Sequence, residues 1–245
     1  MRLSCLPLLL SLCCTSLYSQ ENAGPEVFFS VARTASCRAT APADASAVNA
    51  GDKRDAATLA ELLDLLPQLN VRRLNGRLGA ATVSMRGFQS KQTAVYLDDV
   101  RLPPDITGTV DLSVIPAGAL SRAEALPGGA SALYGAGAEG GVLQLFTRRL
   151  SPGARTAEAS VSGGSYGLKE TALKAGAAGR SGDIYVTGGS GSSDGFQQNS
   201  ALSRDSASAR AGLDLGRAGR LSLSGLFSRQ RTGLPSGTPV PAADW

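Results

Sequence analysis

Chemistry is suggested first by the stretch SALYGAGAEGGVLQLFTRR, Ser131 to Arg149, where four glycines fall between Gly135 and Gly141. Glycines this dense can cradle a phosphate when they open a helix and are followed by Lys and Ser or Thr. No Gly-Lys-Ser/Thr follows here. The run Val142-Leu143-Gln144-Leu145-Phe146-Thr147 is instead rich in strand formers and too short for a helix. As a strand it places Val142 and Leu145 on opposite faces, with apolar residues on both. Glycines ahead of such a strand provide positive φ and close backbone approach, so the loop is read as structural.

Other chemistry is sparse. The 245 residues include no histidine, which removes the commonest general base and zinc ligand. The charge balance of 24 Lys and Arg against 20 Asp and Glu is mild and spread along the chain. No basic cluster with interleaved aromatics marks a nucleic-acid face. Of four cysteines, three lie in the first 14 residues, leaving Cys37 without an internal disulfide partner once a leader is removed. The sequence therefore predicts no enzyme, no catalytic residues, no metal site, no cofactor and no nucleic-acid partner.

The elements that would position any binding residues divide at about residue 150. Met1-Arg2, the apolar run from Leu3 to Leu17 and small or polar residues near Ser19-Gln20 read as an export signal over residues 1–20. The following half mixes helix and strand signals. Leu59 to Leu66 is amphipathic, with Thr58 as cap and Pro67 as stop. Ala81 to Met85 and Ala94 to Leu97 read as strands, and Val114 to Leu126 as a strand passing into a short helix. This is a small α+β domain. After Pro152, Gly, Ser and Ala dominate and side chains alternate with period two, clearest over Ala207–Leu215 and Arg220–Arg229. Five such strands, with a long polar loop expected over Ser190–Arg204, have the length that crosses a bilayer when tilted. Periodicity alone leaves a soluble β-sandwich with one wet face equally open.

Read in order, the motifs of the first half resemble the plug of a TonB-dependent outer-membrane receptor. Glu26-Val27-Phe28-Phe29-Ser30-Val31-Ala32-Arg33 is similar to that family's energy-coupling box. Leu59-Ala60-Glu61-Leu62-Leu63 with Leu66-Pro67 resembles its "LaelLrrlPGV" segment, and Ser84 to Phe88, with Arg86 and Gly87, its "iRGf" motif. Val95 to Val100, with Asp98, resembles "vlvliDGv". Asp111-Leu112 with Ile115-Pro116 resembles "dls.iP", and Glu124 falls in the family's "iEvlrGp". Tyr134, Gly135, Gly140 and Gly141 fall in "SalYGsgAiGGvinI". The resemblance implies a coupling box and linker over residues 21–37 and a plug over 38–150. It makes 151–245 the start of an antiparallel transmembrane β-barrel, incomplete at about five strands.

The implied function is energy-coupled uptake of a scarce nutrient across the cell outer membrane, cobalamin or a ferric siderophore. The "GLPSG" at Gly233 to Gly237 lies nearer the cobalamin branch. Implied partners are the TonB energy-transducing protein, which pulls on the plug, the small-molecule ligand, outer-membrane lipid and the barrel-assembly machinery. Outward plug loops would offer Arg73, Asn75, Arg77, Asp105 and Thr107 for ligand binding. An exported plug-like binding module without transport is the alternative. Three departures stand out: Gln68 and Asp99 replace turn glycines, and Pro127 replaces an Arg that in the family helps Arg86 lock the plug to barrel carboxylates. The first two imply strained or reshaped turns, the third looser plug retention.

Overall fold

The computed structural model describes residues 26–34, 45–50, 58–74, 76–129 and 131–233. The expected export signal over residues 1–20, Cys37, Asn75 and the tail from residue 234 to Trp245 lie outside the described residues. Strand β1 (Glu26–Thr34) joins the second half of the chain, whereas the first half builds a sheet of its own. Its elements are β2 (Ser46–Asn49), α1 (Leu59–Leu63), β3 (Leu69–Arg73), β4 (Ala81–Met85), β5 (Thr93–Leu97), β6 (Val100–Arg101), β7 (Leu120–Pro127), α2 (Ser131–Tyr134) and β8 (Gly141–Thr147). The sheet order is β2-β7-β8-β5-β6, and β3 pairs with β4 as a separate hairpin.

The capping expectation at α1 holds: the Thr58 hydroxyl accepts the Glu61 amide at 3.4 Å. The helix turns Leu59, Leu62 and Leu63 into a core shared with Leu112, Leu120 and Leu143. Each such side chain contributes about 1.5–3 kcal/mol by leaving water. Central strand β8 is buried on both faces, Leu143 and Leu145 in this core and Val142 in a smaller one with Ala94 and Ala138. Its apolar run without alternation has that cause.

Between residues 112 and 127 the order differs from the expected strand-to-helix passage. Two short 3₁₀ turns, Leu112–Val114 and Ala117–Ala119, come first, and the strand β7 follows. The Ala, Glu and Leu of LSRAEALP favour helix locally, but pairing with β8 on one side and β2 on the other overrides that preference.

The second half forms β9 (Arg155–Gly163), β10 (Lys169–Ala178), β11 (Gly182–Ser193), β12 (Leu202–Asp214) and β13 (Arg220–Thr232), each antiparallel to the next. Residues 179–181 and 215–219 turn the chain at one end, while 164–168 and 194–201 connect it at the other. The long polar loop expected over Ser190–Arg204 shrinks to 194–201, because Gly and Ser at the strand ends stay in register although their β-propensity is low.

The two faces of this sheet decide between membrane wall and soluble sandwich. Alternate residues facing the first domain are polar and buried, Asp183 at 6% exposure and Arg210 at 3%. The apolar alternates face out, with Leu173 at 65%, Ile184 at 53% and Leu223 at 50%. A sandwich would bury the apolar face and wet the other. This pattern is the inverse, as lipid-facing barrel strands require.

Candidate functional site: the plug–wall junction and the coupling strand

Among the described residues, polar contacts hold the first domain against the face of the wall that is turned toward it. The Tyr185 hydroxyl donates to the Gly118 carbonyl at 3.0 Å, and the Ser113 hydroxyl donates to Gln230 Oε1 at 3.1 Å. Arg204 Nη1 donates to the Leu78 carbonyl at 3.2 Å. Arg77 Nε lies 2.8 Å from Glu61 and 3.5 Å from Glu170 on β10, joining domain to wall by charge. Near the short-turn end, Arg210 Nη1 lies 2.7 Å from Asp183 and its Nε 3.9 Å from Asp98. Arg220 also pairs with Asp183. Leu226 of β13 completes the junction by entering the domain's core.

Asp98 anchors the turn between β5 and β6. Its carboxylate accepts the Thr147 amide at 3.0 Å and, through the other oxygen, the Thr147 hydroxyl. Thr147 ends β8, from which the chain passes into the wall. Asp98 and Asp99 both adopt left-handed backbone, with φ of 47° and 68°. The turn thus keeps glycine-like geometry without glycine. Gln68, the other glycine replacement, has no positive φ, so that turn is reshaped instead.

The glycine loop is a packing device. A Cβ on Gly141, where φ is 143°, would lie 2.5 Å from Met85 Sδ and 2.6 Å from the Leu126 carbonyl oxygen. On Gly140 it would lie 2.6 Å from Phe88 Cβ. Tyr134 closes the loop: its carbonyl accepts the Tyr96 hydroxyl at 2.9 Å, its own hydroxyl accepts from Gln144 at 3.0 Å, and the two rings meet edge to face at 5.3 Å. Gly135 has φ of 80°. Arg86 and Gly87 form an exposed turn after β4, with φ of 49° and 82°. Glu124 lies on β7, where it pairs with Arg122 at 2.6 Å.

The described residues expected to meet ligand are engaged by neighbours. Arg73 pairs with Asp64, and Arg77 makes the contacts above. Asp105 organises its own loop: Oδ1 accepts the amides of Thr107 at 2.8 Å and Thr109 at 3.0 Å, and also the Thr107 hydroxyl at 2.6 Å. Partial burial pushes the Asp105 carboxyl up, but the hydrogen bonds from Thr107 and Thr109 outweigh it and hold it below its ordinary 3.8. The Gly137 amide, 3.1 Å away, likewise holds the Glu139 carboxyl below its usual range. Sequence reasoning missed the wall side of the junction, Glu170, Asp183, Arg204 and Arg210. Their only signal was polar character at alternate positions.

The segment expected to couple to TonB forms a strand. Residues Glu26 to Thr34, which include Val27, Phe28, Phe29, Ser30, Val31 and Ala32, pair antiparallel with β13, from Glu26 opposite Ser228 to Thr34 opposite Arg220. The wall sheet therefore runs β1-β13-β12-β11-β10-β9. Backbone groups that would be orphaned along the edge of β13 find partners in β1.

Residues 39–142 match the family model described as TonB-dependent Receptor Plug Domain. This stretch of the chain is the plug domain of a TonB-dependent receptor. Over 186 residues this receptor chain is 33% identical to the Vitamin B12 transporter BtuB of Photobacterium profundum, covering 72% of this chain and 30% of that protein. It is 32% identical over 146 residues to the BtuB of Vibrio cholerae serotype O1, covering 59% and 24%. Among solved structures, the copper transporter OprC superposes with a TM-score of 0.64 at 20% identity, covering 79% of this chain and 32% of that one. The siderophore receptor PirA of Acinetobacter baumannii gives 0.59 at 17%, covering 77% and 32%. These last two establish the fold alone. The receptor chain spans about a third of the length of the relatives it matches, and those relatives are named as transporters and receptors, not enzymes.

Proposed function

We propose that this chain is the export signal (residues 1–20), coupling segment with linker (21–37), plug (38–150) and first wall strands (151–245) of an energy-coupled nutrient importer. Further strands complete its barrel in the outer membrane, with help from the barrel-assembly machinery. Cobalamin is the first-choice cargo, in line with the relatives named as vitamin B12 transporters; a ferric siderophore is the second. The observation that carries this reading is the seating of the plug against a sheet polar toward it and apolar away from it.

The geometry suggests how coupling works. An extended segment that pairs through backbone hydrogen bonds can add to one sheet edge or another. In the completed barrel the strand that follows β13 would take the edge that Glu26 to Thr34 covers here, leaving this segment to add to the edge of TonB, and the pull would pass through residues 35–44 into β2. Among the described residues, plug and wall are joined by polar contacts beside the one apolar insertion of Leu226. Such contacts exchange with water as the plug shifts, at a net cost of about 0.5–1.5 kcal/mol for each neutral hydrogen bond. Cargo would meet the plug from the side of residues 72–81 and 103–109. There Arg73, Arg77, Asp105 and Thr107, and Asn75 outside the described residues, are the first candidates for contact. In the same proposal Arg86 locks to wall carboxylates in the completed barrel.

The test is uptake of radiolabelled cyanocobalamin by cells lacking their own receptor and expressing the whole receptor, wild type or Phe29→Pro. Proline removes a backbone donor from the coupling strand. Binding at the cell surface is expected to persist in the variant while energy-dependent accumulation is lost. Accumulation at the wild-type rate in Phe29→Pro cells would overturn the coupling role. No surface binding of cyanocobalamin by the wild type would move the cargo to ferric enterobactin, tested the same way.

A further inference from the structure

The hairpin of β10 and β11 turns a run of paired residues toward the plug. It begins with Glu170 opposite Gly191 at the long-loop end and reaches Gly176 opposite Tyr185 near the short turn. From Glu170 to Gly176 the strand rises about 20 Å at about 3.4 Å per residue. At a wall tilt of about 40° that is about 15 Å along the membrane normal, more than half of an apolar band of about 25 Å. Contacts with the plug recur along this rise.

At the long-loop end Arg77 reaches Glu170, and a Cβ on Gly191 would stand 3.0 Å from Leu78 Cδ1. Further down, the plug turn around Gly118 meets the wall with its backbone. A Cβ on Gly118 would lie 2.7 Å from Lys174 Cε and 3.2 Å from Thr187 Oγ1. Glu158 holds the Lys174 ammonium at 3.1 Å. Near the short turn the Tyr185 ring lies over Gly176, where a Cβ would be 2.7 Å from ring atom Cδ2 and 2.8 Å from Leu150 Cδ1. The Arg148 guanidinium stands over the same ring, 5.9 Å from its centre. The Arg148 amide donates to the Ala119 carbonyl at 2.8 Å. One hairpin thus clasps both the turn at 117–119 and the segment 148–150 by which the plug passes into the wall.

We propose that β10 and β11 are the closed side of the pore. The plug keeps this seat while cargo crosses, and the passage opens on the side of the plug turned away from the hairpin. The proposal rests on the import reading and adds where the passage runs. A cargo the size of cobalamin needs a gap many atoms wide, and at Gly118 and Gly176 there is no room for one methyl group. A gap here would also bring Tyr185 and Leu78, now 3% and 2% exposed, into water. The Tyr185 hydroxyl can trade its bond to Gly118 for one with water as neighbouring parts shift. The close packing of plug backbone against wall side chains has no such replacement.

A tether across the seam tests this in cells lacking their own receptor and expressing the whole receptor with Cys37→Ser, Gly118→Cys and Thr187→Cys. Gly118 has no positive φ, and its 3.2 Å approach to Thr187 Oγ1 suits a disulfide. The obstructing Lys174 Cε is the far end of a flexible side chain and can move aside. The oxidising periplasm permits the bond, and free-thiol labelling shows when it has closed. Constraining a contact that both states keep favours neither state. Accumulation of radiolabelled cyanocobalamin should therefore stay within about twofold of the same cells reduced with dithiothreitol. A larger loss on oxidation, reversed by dithiothreitol, overturns the proposal. If this variant accumulates nothing in either state, Leu78→Cys with Gly191→Cys closes the same seam at its long-loop end and decides by the same comparison. A wild-type receptor that imports neither cyanocobalamin nor ferric enterobactin defeats the import reading and this proposal with it.

Discussion

At Asp98 and Asp99 two consecutive side chains share one strained turn and have opposite consequences. Left-handed backbone costs a non-glycine residue about 1–2 kcal/mol, less for Asp than for most. Asp98 offsets that cost with both of its bonds to Thr147 and its approach to Arg210. Asp99, at φ 68°, is exposed. Asp99→Gly is therefore expected to stabilise the plug by about 0.5 kcal/mol, strain relief exceeding the entropy glycine adds to the unfolded chain. Asp98→Gly is expected to destabilise it by about 2 kcal/mol, because two donors lose their acceptor. Urea midpoints of the two variants should move in opposite directions. Stabilisation of both variants would show that backbone strain, not the Thr147 contact, governs this turn.

Among the elements, β8 and its glycine entrance define the plug. Gly141→Ala must find room for a Cβ within 2.6 Å of both Met85 Sδ and the Leu126 carbonyl, at a φ that side chains avoid. About 2–4 kcal/mol of destabilisation is expected, the sum of overpacking and backbone strain. Gly135→Ala serves as the comparison. Its nearest neighbour would be Arg101 Nη1 at 3.9 Å, so only the φ cost of about 1 kcal/mol remains. Protease protection of the plug should rank wild type, Gly135→Ala, Gly141→Ala. Equal loss in the two variants would remove the close-approach explanation. This loop, α1, β4, β5 and the five wall strands were legible in the sequence, because caps, turn glycines and period-two alternation act within a few residues. β7 was not, since its helix-forming residues are held extended by β2 and β8 from elsewhere in the chain. The junction was not legible either. Asp98 and Arg210 meet across more than a hundred positions, and no local spacing announces that encounter.

For the whole molecule, alternation specifies two faces of the wall, but only the position of the plug determines which face is wet. With the plug on the polar side, β10 to β13 present their apolar rows outward. In hydrocarbon those rows are matched to their surroundings, while an unpaired strand edge costs several kcal/mol per unsatisfied group. β1 covers the edge of β13, and the outer edge of β9 has no strand beside it among the described residues. Completion of the barrel would pair that edge. The orientation is tested by moving one charge across the sheet. Leu223→Arg places a guanidinium in the outward row with Ile184 and Ala211. It is expected to cost about 2–4 kcal/mol near the bilayer midplane and to deplete the whole receptor from the outer-membrane fraction. Ser206→Lys, on the plug-facing side of β12, meets a polar interior and should leave the membrane fraction near the wild-type level. In a soluble sheet whose outward face met water, Leu223→Arg would be harmless and Ser206→Lys the damaging change. That reversed order would place the apolar rows in water and end the assignment of this sheet to a membrane wall.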